Sequence, residues 1–383
     1  LSSKSAKLLT IHQFLDEHRM LNIFIGAGAS VDFGMPLVKQ FTNILQTNIL
    51  KRLDTNLYNF HGQAIIKDKF KTLIGRDDLN YEEMIKHLEL WMLSEKGENY
   101  QALHGLVSQT VECVHLLLLE IQCKSLFNMM LKFQDCSGIK KLLEQHGLVN
   151  VFSLNHDVMT EELCNYYHIK FKDGFRQHVD HNYNSIGNFR IATKEEFTEN
   201  RLDLFNSNEK GLNILKLHGA LDVFAVEDKE KYLKSDSTSF GECIAAIRGI
   251  ERKSLDYCQR TGSRGVNELF VEDDTGELQF FRRSLLSGGH KFTGRFEQVA
   301  PIGLFEEFKK RIHDSEELVI IGYGFGDEHV NQIILNFLDT NKKAKIIICD
   351  PYRERVPEFM LDFELNIEVR KLGLIGYLNS YLI

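Results

Sequence analysis

The chain has 383 residues, 43% hydrophobic and 26% charged, enough to bury one large core or two smaller ones. A formal net charge of -8 argues against a surface built for non-specific binding to nucleic-acid phosphates, so nucleic acid is not an expected partner. The longest apolar run, Val114 to Ile121, is interrupted by His115 and Glu120 and falls short of the roughly 20 residues a bilayer span needs, so no membrane span is expected either. The first ten residues, LSSKSAKLLT, hold no apolar core of signal-peptide length. Cys113, Cys123, Cys136, Cys164, Cys243, Cys258 and Cys349 are odd in number and include no C-x-x-C pair, the pattern of reduced thiols in a cytoplasmic protein.

Along the chain, Leu21–Ile25 reads as a buried strand. Behind it, Gly26-Ala27-Gly28-Ala29-Ser30 has almost no side chain to bury. Glycines at such a strand–loop–helix turn let the backbone approach a bound group, and the N-terminus of the next helix offers free N–H groups to a phosphate. The pattern departs from G-x-G-x-x-G, since Val31 stands at the third glycine position and Gly34 comes three residues late. A tight packing turn is the alternative reading.

No second strand is expected for over a hundred residues. In YEEMIKHLELWML the residues Tyr81, Met84, Ile85, Leu88 and Trp91 recur at helical spacing, and LVSQTVECVHLLLLEIQCKSLFNMMLKF continues as long, mostly buried helix; both read as core stripes. Strands return at Leu148–Leu154 and Asn213–Leu217. A helix is expected around GECIAAIRGIERKSLDYCQR, and NELFVEDDTGELQFF reads as a hairpin turning at Asp274-Thr275-Gly276. The last part alternates: helix LFEEFKKRIHD, strand Leu318–Ile321, helix from Glu328, strand Lys345–Cys349, helix after Pro351 and strand NIEVRKL.

This alternation predicts an α/β fold, a Rossmann-like parallel sheet with helices on both faces, plus a helical insertion and a small mixed insertion. The expected division is a core of 1–36, 147–221 and 301–383, a helical module of 37–146 and an inserted subdomain of 222–300.

Several polar residues fall at predicted strand ends, where open α/β sheets hold their ligands. Asn155, His156 and Asp157 follow one strand; capping of the next helix is the alternative for Asn155 and Asp157. His218 and Gly219 follow another, and a satisfied structural histidine is as common there as a functional one. ELVIIGYGFGDEHVNQII forms a second strand–glycine-loop–helix unit with Gly322, Tyr323, Gly324, Gly326 and the capping candidate Asp327. Asp350 ends a further strand, suited to a ribose hydroxyl or to a turn before Pro351.

GAGAS, N-x-D, L-H-G and a second glycine loop, in that order, resemble the NAD-dependent sirtuins, most closely their bacterial antiphage-defence branch of sirtuin-like NAD hydrolases. The matching segments amount to about a fifth of the chain. The resemblance implies that Gly26, Ala27, Gly28, Ala29, Ser30, Gly34 and Pro36 surround the pyrophosphate of NAD. It places Asn155 at the nicotinamide ribose, Asp157 at the carboxamide and His218 as the base. Asp327, His329 and Asn331 fall at the polar positions of the defence-branch loop. Gly324 stands where deacetylating members carry a serine. Their two zinc-holding C-x-x-C pairs are missing, so zinc is not expected.

The activity implied is hydrolysis of NAD+ to nicotinamide and ADP-ribose, with NAD as substrate and NAD depletion during phage infection as the purpose. Asp157 positions the carboxamide, Asn155 orders water or a ribose hydroxyl, and His218 accepts a proton, a contribution of about 10²–10⁴-fold. A protein deacylase or ADP-ribosyltransferase, and a non-catalytic NAD or ADP-ribose sensor, are the rival readings. The resemblance also implies a homo-oligomer, or a separate sensor or partner such as a HerA-type ATPase.

Overall fold

The computed structural model describes residues 20–55, 62–177, 183–285 and 303–383. The decapeptide read for a leader lies outside them.

Strand β1 (Leu21–Ile25) leads into a 3-10 turn, Ala27–Phe33, and then into helices α1 (Val38–Asp54), α2 (Ala64–Ile74), α3 (Tyr81–Ser94), α4 (Gly97–Phe133) and α5 (Gly138–His146). Next come β2 (Leu148–Ser153), α6 (Met159–Tyr167), β3 (Phe171–Lys172), β4 (Arg176–Gln177), β5 (Phe189–Thr193) and α7 (Lys194–Thr198). They are followed by β6 (Gly211–Lys216), β7 (Gly219–Val226), β8 (Lys231–Ser235), α8 (Glu242–Thr261), β9 (Glu268–Glu272) and β10 (Leu278–Leu285). The chain closes with α9 (Gly303–His313), β11 (Glu317–Ile321), α10 (Glu328–Thr340), β12 (Lys345–Cys349), β13 (Ile367–Arg370) and α11 (Leu374–Asn379).

Seven strands form one parallel sheet in the order β13-β12-β11-β1-β2-β6-β3. Alternation of side chains sends Leu21, Ile23 and Ile25 to one face, with Val319 and Ile321, and Phe24 to the other, with Leu318 and Ile320. The first face packs on α5, α6 and α11 through Ile139, Leu163 and Leu374, and the second on α9 and α10 through Phe308 and Ile334. This is the α/β sheet with helices on both faces that the alternating pattern predicts.

Register is pinned by a polar ladder. Asn22, Asn150 and Asn213 sit side by side on β1, β2 and β6 and are fully buried. Asn150 Nδ2 donates to Asn22 Oδ1 at 2.8 Å and Asn213 Nδ2 to Asn150 Oδ1 at 2.9 Å, while the Arg311 guanidinium donates to Asn150 Oδ1 at 2.8 Å. A one-residue slip would bury these amides unpaired, so the strand tips are held in line.

Six further strands form an antiparallel sheet in the order β4-β5-β8-β7-β10-β9, in which Asp274-Thr275-Gly276 turns the β9–β10 hairpin and Gly276 takes a φ of 84°. Position 221 lies inside β7, and this sheet also takes strands from 176–193.

Two local expectations differ. The segment after Pro351 is a turn followed by a 3-10 stretch, Glu358–Asn366, because Pro357 leads into it and Phe363 breaks it at φ -112°. The sequence also understates α4: with the turn that follows, Gly97–Cys136 is long and apolar enough to cross a membrane by length and composition, at a mean hydropathy of 1.4. His115 does not end the apolar stretch, because it is wholly buried with Nε2 3.4 Å from Glu251 Oε1. About 44% of that window is buried inside the protein.

Candidate active site

The strand order places β2 and β6 on one side of β1, and β11, β12 and β13 on the other. Such a reversal leaves a crevice at the carboxyl ends of the strands, since the connections leave in opposite directions. A cavity of about 760 Å³ lies elsewhere, between α4 and α8; the crevice itself holds one of about 620 Å³, within the 300–1,000 Å³ range of small-molecule sites.

Two glycine loops form its floor by touching each other. Gly28 N–H donates to Gly322 O at 2.8 Å, and Gly26 N–H to Ile321 O at 3.0 Å. A Cβ on Gly26 would lie 2.7 Å from Tyr323 Cα, one on Gly28 2.8 Å from Gly322 Cα, and one on Gly322 2.3 Å from Ala29 N. Gly322 also takes a φ of 62°. The tight-packing reading of these glycines is therefore realised, and it is what brings both loops to one cavity.

The structure corrects the expected helix N-terminus behind the first loop. The segment is a 3-10 turn, its Gly28 and Ala29 N–H groups are taken by Gly322 O and Gly26 O, and the next α-helix starts only at Val38. Gly26, Ala27, Gly28 and Pro36 line the cavity, but Ala29, Ser30 and Gly34 do not. Ala29 packs in the core with Ile25 and Ile321, and Ser30 is buried behind the loop. Gly34 ends the turn at φ 96° against α4, where Ser125 Oγ donates to its carbonyl at 3.1 Å; a Cβ would lie 2.6 Å from that oxygen.

Asn155 and Asp157 line the cavity from the loop after β2. Asn155 Nδ2 donates to Gly26 O at 2.9 Å and to Ser30 Oγ at 3.0 Å. A carbonyl can only accept, which fixes the amide nitrogen there and leaves Oδ1 as the acceptor of this side chain. Asp157 Oδ1 accepts from Met159 N–H at 3.0 Å, so it holds the first N–H of α6, one residue before the N-cap Val158, and lines the cavity at once. Burial pushes its carboxyl above the usual range, against the pull of the Lys216 ammonium.

His218 follows β6 and is buried, with Nε2 3.3 Å from Asp327 Oδ2. The other oxygen of Asp327 caps α10, accepting from His329 N–H at 3.0 Å and Val330 N–H at 3.3 Å. One carboxylate thus fixes a helix end and faces an imidazole. The Asp327 loop is tied from within: Tyr323 Oη accepts from Asp327 N–H at 3.1 Å and lies 3.0 Å from Asn331 Oδ1, while Asn331 Nδ2 donates to Phe325 O at 2.9 Å. His329 is exposed outside the cavity; Gly322, Tyr323, Gly324 and Asp327 line it. Asp350 lines it too, while its Oδ1 accepts from Tyr352 N–H at 2.9 Å, the hydrogen bond of the expected turn.

Sequence reasoning missed two features. Tyr81, read only as core, also lines the cavity beside Phe41, Glu82 and Leu118, so the helical segment supplies a wall. The second is Lys216, 3% exposed at the end of β6: its Nζ donates to the carbonyls of Asp157 and Asn155, the latter at 3.4 Å, and lies 3.3 Å from Glu161 Oε2. Glu161 is shared with Lys234, which pairs with Asp222 at 2.9 Å. The signal was a lysine inside the apolar strand NILKL, two residues before His218.

Among the described residues no three His, Cys, Asp or Glu side chains group as metal ligands, and all seven cysteines are unbridged.

No family model matches the chain, and no curated protein is similar to it in sequence. Among solved structures, the chain is similar to a Sir2 homologue in complex with NAD at 10% identity, covering 97% of this chain and 92% of that one, with a TM-score of 0.43. It is also similar to Sir2Tm bound to a propionylated peptide at 12% identity, covering 97% of each chain, with a TM-score of 0.37. A Sir2–p53 peptide–NAD+ complex is similar at 12% identity over 97% of each chain, with a TM-score of 0.38.

Proposed function

We propose that this chain is a sirtuin-like NAD+ hydrolase that breaks the nicotinamide–ribose N-glycosidic bond with water. The observation that carries the reading is the meeting, in one 620 Å³ crevice, of Asn155, Asp157 and the His218–Asp327 pair with the Gly26–Gly28 loop. They come from four strand ends, Asn155 and Asp157 after β2, His218 after β6, Asp327 after β11 and the glycine loop after β1, and each is a residue that the motif resemblance singles out.

In this reading the pyrophosphate lies along the glycine loops and Asp350 accepts from a ribose hydroxyl. Asp157 holds the carboxamide. As the C1′–N bond breaks, its electron pair goes to the ring nitrogen and nicotinamide leaves neutral. Water adds to C1′, and its proton passes to His218, whose tautomer Asp327 sets. Asn155 orients the water or the ribose through its free amide oxygen. A role in NAD depletion during phage infection, an oligomeric active form and a HerA-type ATPase partner belong to the same proposal and rest on the motif resemblance.

Reaction in ¹⁸O-water tests the acceptor. Hydrolysis puts one labelled oxygen on the ADP-ribose formed, with nicotinamide and ADP-ribose in equal amounts. ADP-ribose appearing on protein instead would favour transfer, and NAD binding without nicotinamide release would favour a sensor.

A further inference from the structure

The cavity of about 760 Å³ between α4, α8 and the β9–β10 hairpin shares no lining residue with the crevice. Leu116 and Leu119 of α4, Leu255 of α8 and Leu269 of β9 give it apolar walls. Its charges are unevenly matched. All four carboxylates of the lining have cations: Glu112 and Glu251 pair with Arg283 at 3.2 and 2.7 Å, Glu268 with Arg282 at 2.7 Å, and Glu120 with Lys124 at 2.5 Å. Arg248, Arg252 and Arg264 also line it and form no ion pair among the described residues.

Arg248 and Arg252 stand four residues apart on α8, so they share a face, where like charges oppose helix formation. Arg283 serves two of the carboxylates, so the lining holds five cations against four; with three guanidiniums outside the ion pairs and leucines beside them, it is complementary to a ligand with clustered negative charge and an apolar ring. Guanidinium forks match phosphate oxygens in pairs. We propose that this cavity is a second ligand site, for a phosphorylated small molecule of the nucleotide class, with Arg248, Arg252 and Arg264 on its phosphates and Leu255 beside its base. The concave shape and the four carboxylates of the lining favour a compact ligand over a polynucleotide. The proposal is independent of NAD turnover.

Cys258 lines this cavity and not the crevice, which gives a local readout. Alkylation of Cys258 by N-ethylmaleimide is followed by mass spectrometry on the full chain, with and without ADP. ADP is expected to slow labelling in the wild type. In the combined variant Arg248→Gln, Arg252→Gln, Arg264→Gln, the ADP concentration giving half-protection should rise about tenfold or more. These arginines are exposed and circular dichroism confirms folding, while a variant of the crevice, His218→Ala, should keep the protection. Unchanged labelling with ADP, equal protection in the arginine variant, or protection by a short DNA duplex and not by ADP would each overturn the assignment.

Discussion

Replacing Lys216 by Met keeps the length of the stem and removes the ammonium, which makes it a direct test of how the Asn155–Asp157 loop is held. Lys216 Nζ donates to the buried carbonyls of both residues and lies 3.3 Å from Glu161 Oε2. Without it those carbonyls lose their donor, and Glu161 keeps only Lys234, 3.2 Å from its other oxygen. Breaking a buried pair on one side costs about 3–5 kcal/mol, because the remaining charge is uncompensated. At roughly 2–4 °C per kcal/mol, the rate for somewhat smaller domains, the melting temperature should fall by about 10 °C. The loop then relaxes, and a displacement of ~1 Å at positioning groups lowers turnover about 10²-fold. Thermal unfolding and nicotinamide release, both run below the variant's transition, measure the two effects. A melting temperature that falls while kcat stays within about twofold of wild type would refute the claim that this lysine positions the loop.

Asp327→Asn keeps a good helix cap on α10 but puts a neutral amide 3.3 Å from His218; nicotinamide release should drop by about 10²–10⁴-fold with the melting temperature nearly unchanged, and an unchanged rate would make the pair structural. Glu162 is pushed by burial from 4.5 up to about 7, so its contribution to stability is full below about pH 4.5 and is lost as the pH rises through about 7. Glu162→Gln keeps an acceptor for Gly241 N–H and should therefore stabilise the protein more at pH 8 than at pH 5, by up to about 3 kcal/mol; equal gains in urea unfolding at both pH values would contradict the shift. Gly322→Ala forces a side chain into left-handed backbone against Ala29 N, at a cost of about 1–2 kcal/mol for the conformation alone, and should lower both stability and NAD binding. Wild-type unfolding by this variant would show that the loops are not locked together.

The parallel sheet was legible because each of its longer strands is a short apolar run ending in glycine or a polar residue, and the helices between carry apolar stripes at their own period. The polar tips Asn155, Asp157, His218, Asp327 and Asp350 could be read for the same reason: no apolar core requires them. Pairing His218 with Asp327 could not be read, because they lie over a hundred residues apart and meet only through the order of β6 and β11 in the sheet. Glycines misled in part. Gly34 looks like loop chemistry, but its missing side chain makes room for Ser125 of α4. Tyr81 shows the converse: helical spacing marks a buried side and says nothing of whether a cavity opens beside it.

The central claim is that the crevice cleaves NAD through Asn155 and His218. The direct measurement is nicotinamide release from NAD by the purified protein, with any activator it needs, beside Asn155→Ala and His218→Ala variants shown to be folded. The account predicts release by the wild type and a loss of at least about 10²-fold in each variant. Release that persists undiminished in both would contradict it.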